Sequence, residues 1–266
     1  MTDPAAVALT TSIVPGPKGV VPLVIAHGLF GQGRNFGSLS KRFGEGRTVI
    51  SVDMRNHGDA PHDARMDYEA MAADLAAVIR AEAGGRAVVL GHSMGGKAAM
   101  TLALSTPDLL EALIVADIAP VPYEHYEHGG VIAAMQAADL SAVTRRSQAD
   151  PLLAEAIPDA GLRAFILQNL AIEDGAARWK PNLAALSENM PAILGFPDAL
   201  PEPAYEGPTL FIHGERSDYV PEGAKPRIRA LFPDAEFEAV GGAGHFLHAE
   251  KPDAFFAAVS RFLDTL

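Results

Sequence analysis

The stretch Val88-Val89-Leu90-Gly91-His92-Ser93-Met94-Gly95-Gly96-Lys97-Ala98-Ala99-Met100 places a serine between a short apolar run and an alanine-rich segment. This order predicts a strand, a sharp turn and a helix. Glycines two residues before and two residues after Ser93 allow the strand and the helix to approach closely around a strained backbone. Such a Gly-x-Ser-x-Gly junction is typical of a nucleophile elbow, in which the serine hydroxyl projects from the turn. We therefore expect Ser93 to be a nucleophile.

On both sides of this stretch, apolar runs alternate with segments of helical periodicity. The runs are continuous rather than alternating with polar residues, which is typical of parallel strands covered on both faces. The predicted strands are residues 6–14 (an edge strand), 21–26, 48–52, 87–90, 112–116, 209–212 and 236–240, and the predicted helices include 68–83, 96–105 and 252–266. The pattern predicts an α/β protein with a mostly parallel, doubly wound sheet.

The alternation stops between residues 121 and 207, where the sequence becomes helical and punctuated by prolines. We interpret this segment as a helical cap inserted into one core, which would consist of residues 1–120 and 208–266. Within the cap, one of the predicted helices covers residues 161–171. Tyr123 and Trp179 are candidates to line a pocket beneath the cap, although ordinary packing explains them equally well.

The composition excludes several classes of function. A net charge of -12, without any basic run, argues against nucleic acid or an anionic membrane as a partner. The absence of cysteine excludes disulfides, thiolate metal sites and a cysteine nucleophile, and it is compatible with the cytoplasm. The N-terminus lacks the pattern of a signal peptide, and no apolar run has the length of a membrane span. We expect a cytoplasmic protein that acts on a small molecule; the oligomeric state is left open.

A serine nucleophile needs a general base, and His245 is the best placed of the nine histidines. It lies in Gly244-His245-Phe246, between the last predicted strand and the final helix, where the carboxyl edge of an open sheet gathers its functional loops. His27, His92 and His213 lie where histidines more often support loops. His248 is a weaker candidate because it would begin the last helix.

Two carboxylates could orient the base. Asp218 follows the penultimate strand, which is the commoner position for the acid, but it stands one residue later than usual, and Ser217 takes the usual place. Asp117 ends the strand after the elbow helix and could reach the base from beneath. Both satisfy the chain order Ser, Asp, His. The residues by themselves leave this choice open.

The reaction also requires donors for an oxyanion, which backbone N–H groups usually supply. The elbow supplies the N–H of Met94. The glycine-rich loop His27-Gly28-Leu29-Phe30-Gly31 should supply the second donor, with Leu29 the first choice and Phe30 the second. This loop lacks the GxxxxGK[ST] pattern of a phosphate-binding loop. The cluster His57, Asp59, His62 and Asp63 matches no zinc pattern, so we expect a solvated loop there and no metal or organic cofactor.

Five motifs in order resemble the α/β-hydrolase superfamily and, within it, the YbfF-type esterases. They are residues 27–31, Asp53-Met54-Arg55-Asn56-His57-Gly58, residues 91–97, Asp117-Ile118-Ala119-Pro120 and residues 244–252. The resemblance covers essentially the whole chain. It implies the α/β-hydrolase fold with a helical cap, Ser93 as nucleophile and His245 as base. Members of that group often use the aspartate of the Asp-Ile-Ala-Pro segment, which favours Asp117 over Asp218.

The resulting hypothesis is a serine hydrolase that cleaves short to medium acyl esters, or thioesters, through an acyl-enzyme on Ser93. Two alternatives stay open because fold does not fix the reaction. The same triad can run perhydrolase or lyase chemistry, and some proteins of this fold act as ligand-binding receptors.

Overall fold

The computed structural model describes residues 6–123, 127–197 and 204–266, and a seven-stranded sheet runs through its centre. The strands of this sheet are β1 (Thr10–Val14), β2 (Leu23–Ala26), β3 (Val49–Asp53), β4 (Ala87–His92), β5 (Leu110–Ala116), β8 (Thr209–Gly214) and β9 (Ala235–Val240). Their spatial order is β1-β3-β2-β4-β5-β8-β9, and only the β1–β3 pair is antiparallel. The predicted α/β fold is confirmed. The first strand is the predicted edge strand, but it begins at Thr10 rather than at residue 6.

Helices cover both faces of the sheet. The helices outside the β5–β8 connection are α1 (Gly37–Phe43), α2 (Tyr68–Glu82), α3 (Met94–Ser105), α9 (Lys225–Leu231), α10 (Leu247–Glu250) and α11 (Pro252–Leu263). Side chains alternate along a strand, so Val24 of β2 packs in the cluster with α2 and α3, whereas its neighbours Leu23 and Ile25 pack with α1 and α11. The continuous apolar strands of the sequence are therefore buried from both sides.

The connection between β5 and β8 departs from this pattern. It contains α4 (Glu127–Ala137), α5 (Arg146–Leu153), α6 (Ala160–Leu167), β6 (Leu170–Glu173), β7 (Ala176–Trp179), α7 (Leu183–Glu188) and α8 (Met190–Leu194). We call residues 127–197 the inserted segment. That residues 121–207 form a cap over one core stays a prediction.

The hairpin of β6 and β7 corrects the prediction of one helix over residues 161–171. Helix α6 ends at Leu167, and the chain then turns back through Asp174 and Gly175, whose φ angles are 51° and 80°. Positive φ at both central residues is what a tight type I′ hairpin requires, and Asp-Gly is its usual sequence. The dipeptide Asp174-Gly175 therefore indicates a hairpin, although the residues before it have helical periodicity. None of the helices in the described ranges is both long enough and apolar enough to cross a membrane.

Candidate active site

Ser93 lies at the junction of β4 and α3 with a backbone that few residues adopt. Its φ and ψ angles are 51° and -118°, and its N–H donates a 2.9 Å hydrogen bond to the carbonyl oxygen of Ala116 on β5. A Cβ at Gly91 would lie 2.2 Å from the oxygen of Gly95, and a Cβ at Gly95 would lie 2.4 Å from the oxygen of Ala26. Both positions therefore require glycine. The strand and the helix pack closely enough to hold Ser93 in its strained conformation.

His245 joins Ser93 to Asp117. Its Nε2 lies 3.1 Å from Ser93 Oγ, and its Nδ1 lies 2.7 Å from Asp117 Oδ2. Asp117 is fully buried, whereas the side chain of His245 keeps 18% of its surface exposed. The ring of Tyr219 stacks on the imidazole with centroids 4.0 Å apart. The carboxylate accepts from Nδ1–H, which leaves Nε2 free to accept the proton of the serine hydroxyl.

The acid that reaches His245 is Asp117 and not Asp218. Asp117 has a φ of 55°, and this left-handed turn directs its carboxylate toward the loops after β8 and β9. Asp218 is exposed and makes no hydrogen bond with His245 in the described part of the chain. The alternative that placed Asp218 against the base is corrected, because the loop after β8 turns Ser217 inward instead.

Ser217 is a site residue whose role sequence reasoning missed. Its hydroxyl donates to Asp117 Oδ2, while the N–H of Gly214 donates to Asp117 Oδ1 at 3.0 Å. With Nδ1–H of His245, the buried carboxylate thus accepts from three donors, which fix its orientation. The signal was present in the sequence, since Ser217 occupies the strand-end position where the acid is usually found.

The predicted oxyanion donors Met94 and Leu29 lie close to Ser93, since they line a cavity together with it. Met94 is the first residue of α3, so its N–H has no acceptor within the helix. The loop after β2 forms a turn in which the N–H of Gly31 donates to the oxygen of Gly28 at 2.9 Å. Leu29 and Phe30 are its central residues, and Phe30 has a φ of 60°. Leu29 borders both cavities that meet at Ser93, whereas Phe30 borders one of them.

Asn169 of the inserted segment supports this strained turn. Its Nδ2–H donates to the oxygen of Phe30 at 2.8 Å, and its Oδ1 accepts from Nε2–H of Gln32 at 2.9 Å. Asn169 is fully buried. A side chain of the inserted segment therefore fixes the loop after β2, which carries one of the predicted oxyanion donors.

Two buried histidines hold the loops beneath the site. Nε2 of His27 accepts from the N–H of Met54 at 2.9 Å, and burial lowers the pKa of His27 to about 4. His57 contacts His27 edge to face, and burial lowers its pKa to about 3. His57 is fully buried, so the predicted solvated loop is wrong at this position. Both rings stay neutral at pH 7 and serve as supports.

A buried ion pair draws the loop after β3, which contains Arg55 and His57, into the core. Arg55 lies within 2.6 Å of Asp74 on α2 and donates two hydrogen bonds to its carboxylate. Both side chains are at most 1% exposed. Arg55 therefore braces the loop. No cluster of histidine and carboxylate side chains in residues 6–123, 127–197 and 204–266 has the arrangement of a metal site.

His92 and His248 form a second neutral pair beside the base. His92 donates from Nε2 to the backbone oxygen of His245 at 2.9 Å, and it contacts the ring of His248. Burial lowers the pKa of His92 far below its ordinary value and that of His248 to about 3. His92 thus positions the backbone of His245, and neither ring competes with it as a base.

Two cavities meet at Ser93. The narrower, of about 40 Å³, is bordered by His245, Phe246 and the α6 residues Leu162 and Phe165. It shares Leu162, Phe165 and Phe246 with an outer groove of about 900 Å³. We call the narrow cavity and its outer groove together the histidine-side cavity, because His245 lines the narrow cavity and does not line the other cavity at Ser93.

A second cavity, of about 290 Å³, also borders Ser93, and we call it the lysine-side cavity because Lys97 lines it. Its lining residues are Leu29, Tyr68, Ser93, Met94, Lys97, Ile118, Tyr123, Ile193, Leu194, Asp218 and Tyr219. Tyr123, a candidate from the sequence, lines it. Trp179 does not; its Nε1–H donates to the oxygen of Met135 at 2.8 Å, which is packing within the inserted segment.

Comparison with known proteins identifies the family of the chain. Residues 23–259 match the model of the alpha/beta hydrolase family. The chain is 42% identical over 262 residues to an sn-1-specific diacylglycerol lipase of Mus musculus, covering 96% of this chain and 85% of the mouse protein. It is 39% identical to esterase YbfF of Escherichia coli, covering 91% and 93% of the two chains.

A solved structure, that of a marine microorganism esterase, superposes with a TM-score of 0.92 at 36% identity, covering 97% of this chain and all of the other. The family match spans most of the chain, and the two relatives and the solved structure are named for ester hydrolysis. The chain belongs to the alpha/beta hydrolase family and is a hydrolase of ester bonds.

Proposed function

We propose that the protein is a serine carboxylesterase or acyl-thioesterase that acts through an acyl-enzyme on Ser93. The observation that carries the proposal is the continuous contact from Ser93 Oγ to His245 Nε2 and from His245 Nδ1 to Asp117 Oδ2. A serine hydroxyl becomes a useful nucleophile only with such a base in reach, and the base needs a third group to hold its orientation.

In the acylation step, Ser93 Oγ attacks the carbonyl carbon of the ester and His245 Nε2 takes the hydroxyl proton. The N–H groups of Met94 and Leu29 stabilise the negative charge on the carbonyl oxygen. The tetrahedral species collapses when the bond to the leaving oxygen or sulfur breaks and His245 returns its proton to that atom. The buried Asp117 carboxylate stabilises the imidazolium during this exchange.

Deacylation repeats the sequence with water. His245 takes a proton from a water molecule while the oxygen of that water attacks the acyl carbon. The bond to Ser93 Oγ breaks, the proton returns to Oγ, and the carboxylic acid leaves. Every proton in the cycle passes through Nε2 of His245, so the chain's own residues are sufficient for the reaction.

The two cavities accommodate different halves of the substrate in this scheme. Because His245 must protonate the leaving atom, the leaving group occupies the histidine-side cavity. The acyl chain then occupies the lysine-side cavity, next to the N–H of Met94. The apolar part of that wall, which includes Ile118, Ile193 and Leu194, fits short to medium acyl chains.

Replacement of Ser93 by Ala tests the proposal. We expect hydrolysis of p-nitrophenyl butyrate to fall by at least about 10³-fold, because the nucleophile is lost. A fluorophosphonate probe should label the wild type at Ser93 and leave Ser93→Ala unlabelled. Ser105→Ala, an exposed serine at the other end of α3, is the matched control and should keep the wild-type rate. A wild-type rate in Ser93→Ala would refute the proposal.

A further inference from the structure

Lys97 is a buried cation in the wall of the lysine-side cavity. Its side chain is 1% exposed, and its Nζ donates to the carbonyl oxygens of Leu194 at 2.9 Å and Gly195 at 2.5 Å. The ring of Tyr123 lies 4.6 Å from Nζ. An ammonium group has three N–H donors, so one donor is not used by these carbonyls.

The charge of Lys97 lacks the compensation that the fold gives to its other large buried cation. Arg55 is paired with the carboxylate of Asp74 at 2.6 Å, but Lys97 has no carboxylate within ion-pair distance among the described residues. Burying a charge without an opposite charge is costly. A neutral amide could donate to the two carbonyl oxygens at a lower cost, so the hydrogen bonds alone do not account for a lysine here.

The position of Lys97 relative to Ser93 allows its charge to act on a bound acyl group. The N–H of Lys97 donates to the oxygen of Ser93 at 3.1 Å, so the two residues are one helical turn apart, and both line the same cavity. Side chains four residues apart share a helix face. An acyl chain attached to Ser93 and extending into this cavity passes the side chain of Lys97.

We propose that the lysine-side cavity selects acyl groups that carry a carboxylate, so that the preferred substrates are half-esters or half-thioesters of dicarboxylic acids. The inference rests on the proposed function, because it concerns the acyl half of that reaction. Lys97 is the specificity-determining residue, and its ammonium pairs with the distal carboxylate of the acyl group. Charge-assisted pairing of this kind is strong, and the ammonium group of Lys97 is itself buried.

Among the described residues, the groups that face Lys97 from α2, from the segment after β5 and from α8 are neutral. Burial raises the pKa values of Tyr68 on α2 and Tyr123 after β5, so both phenols stay neutral, and α8 contributes only carbonyl oxygens. Tyr219 and the exposed Asp218 complete the wall on the side of the loop after β8. Asp218 carries a negative charge and so repels the carboxylate that Lys97 attracts.

The first experiment needs only the wild-type protein. The specificity constant kcat/KM is measured by ethanol release for monoethyl succinate, glutarate and adipate, each against a neutral ester in which an isopropyl group replaces the carboxylate. We expect the best half-ester to exceed its neutral partner by about 10-fold or more, since a charge-assisted hydrogen bond contributes roughly 1.5–3 kcal/mol. Equal or higher values for all three neutral esters would overturn the inference.

The ratio of kcat/KM for a half-ester to kcat/KM for its neutral partner should also depend on pH. Burial lowers the pKa of Lys97 to about 7. The charged form predominates below this pKa, so the preference for the half-ester should be high at pH 6 and should decline as the pH rises through 7. A change of the chemical step with pH affects both esters equally and cancels from the ratio. A ratio above one that stays constant from pH 6 to pH 9 would contradict the assignment to Lys97.

Variants test whether Lys97 is the residue responsible for the preference for half-esters. Lys97→Gln removes the charge but keeps N–H donors for the carbonyls of Leu194 and Gly195, and we expect it to reduce the ratio by about 10-fold. Lys97→Arg keeps the charge and should retain the preference. Asp218→Asn removes the repelling charge and should raise the ratio about 2-fold. Lys41→Gln, an exposed change of the same charge on α1, is the control and should keep the wild-type ratio.

The outcomes separate this inference from the proposed function. If p-nitrophenyl butyrate is not hydrolysed, the proposed function fails. If it is hydrolysed but the ethyl esters are not, the same six compounds are compared as competitive inhibitors of its hydrolysis, with the same ratios expected. A wild-type ratio in a folded Lys97→Gln would overturn the inference and leave the esterase intact. Thermal unfolding establishes that each variant is folded.

Discussion

The floor and the walls of the site are built by different physical means. The floor consists of Ser93, Asp117 and His245, which follow β4, β5 and β9, and two of these residues have φ angles above 50°. The walls include apolar side chains of the inserted segment, such as Phe165 and Ile193. A strained backbone is kept only where the surrounding structure over-determines it. Changes in the floor should therefore abolish the reaction, whereas changes in the walls should alter its selectivity.

The largest effect should follow from Asp117→Asn in the floor. The amide oxygen would accept from the N–H of Gly214, so its NH₂ group would face Nδ1 of His245. His245 would then carry its proton on Nε2 and could not accept the proton of Ser93. We expect kcat for p-nitrophenyl butyrate to fall by about 10⁴-fold.

Asp218→Asn is the matched comparison, because the two carboxylates were equal candidates on chain order. We expect a fall in kcat of less than about 10-fold on the same neutral ester, since Asp218 is exposed and makes no hydrogen bond with the base within the described residues. Equal losses in the two variants would show that the acid was assigned wrongly.

The choice between Asp117 and Asp218 shows how much of the site the sequence patterns could predict. The elbow and the loop of His245 were predictable because glycine spacing and strand ends are local signals. The choice of Asp117 depends on its φ of 55° and on the inward turn of Ser217, which bring together residues 100 positions apart. From the residues alone both aspartates were equal, and only the resemblance to YbfF-type esterases favoured Asp117.

Burial is a second property that local patterns predicted poorly. His57 was expected in a solvated loop, but the Arg55–Asp74 pair draws that loop into the core. Lys97 stood in an alanine-rich helix without any sign that its ammonium would be buried beside the carbonyls of α8. Both outcomes depend on contacts between distant segments, which the periodicity of one segment does not contain.

A smaller loss should follow from Ser217→Ala, which also affects the floor. The hydroxyl of Ser217 donates to Asp117 Oδ2, so its removal leaves a buried carboxylate with one donor fewer. A hydrogen bond to a charged group contributes roughly 1.5–3 kcal/mol, and we therefore expect kcat to fall by about 10-fold to 100-fold.

Ser217 acts through Asp117, so it is a positioning residue. The loss should appear in kcat while KM stays near the wild-type value, because the fully buried carboxylate of Asp117 orients His245 and does not touch the substrate. Ser217→Thr keeps the hydroxyl and should restore most of the activity. A loss in Ser217→Thr as large as that in Ser217→Ala would indicate a packing defect instead.

The smallest effects should come from the walls, where Ile193→Ala and Phe165→Ala enlarge different cavities. Ile193 lines the lysine-side cavity and Phe165 the histidine-side cavity. A few methylene groups in an apolar pocket change selectivity by about 10-fold. Ile193→Ala should therefore shift the preferred acyl length among nitrophenyl esters, with little change between methyl and hexyl butyrate.

Phe165→Ala should do the reverse, favouring hexyl over methyl butyrate while the order of acyl lengths stays as in the wild type. The crossed pattern is informative because each variant controls for the general loss of packing caused by the other. If instead Phe165→Ala shifted the preferred acyl length and Ile193→Ala the preference between methyl and hexyl butyrate, the acyl chain would lie in the histidine-side cavity. The assignment of the two cavities would then have to be exchanged, while the roles of Ser93, His245 and Asp117 would stand.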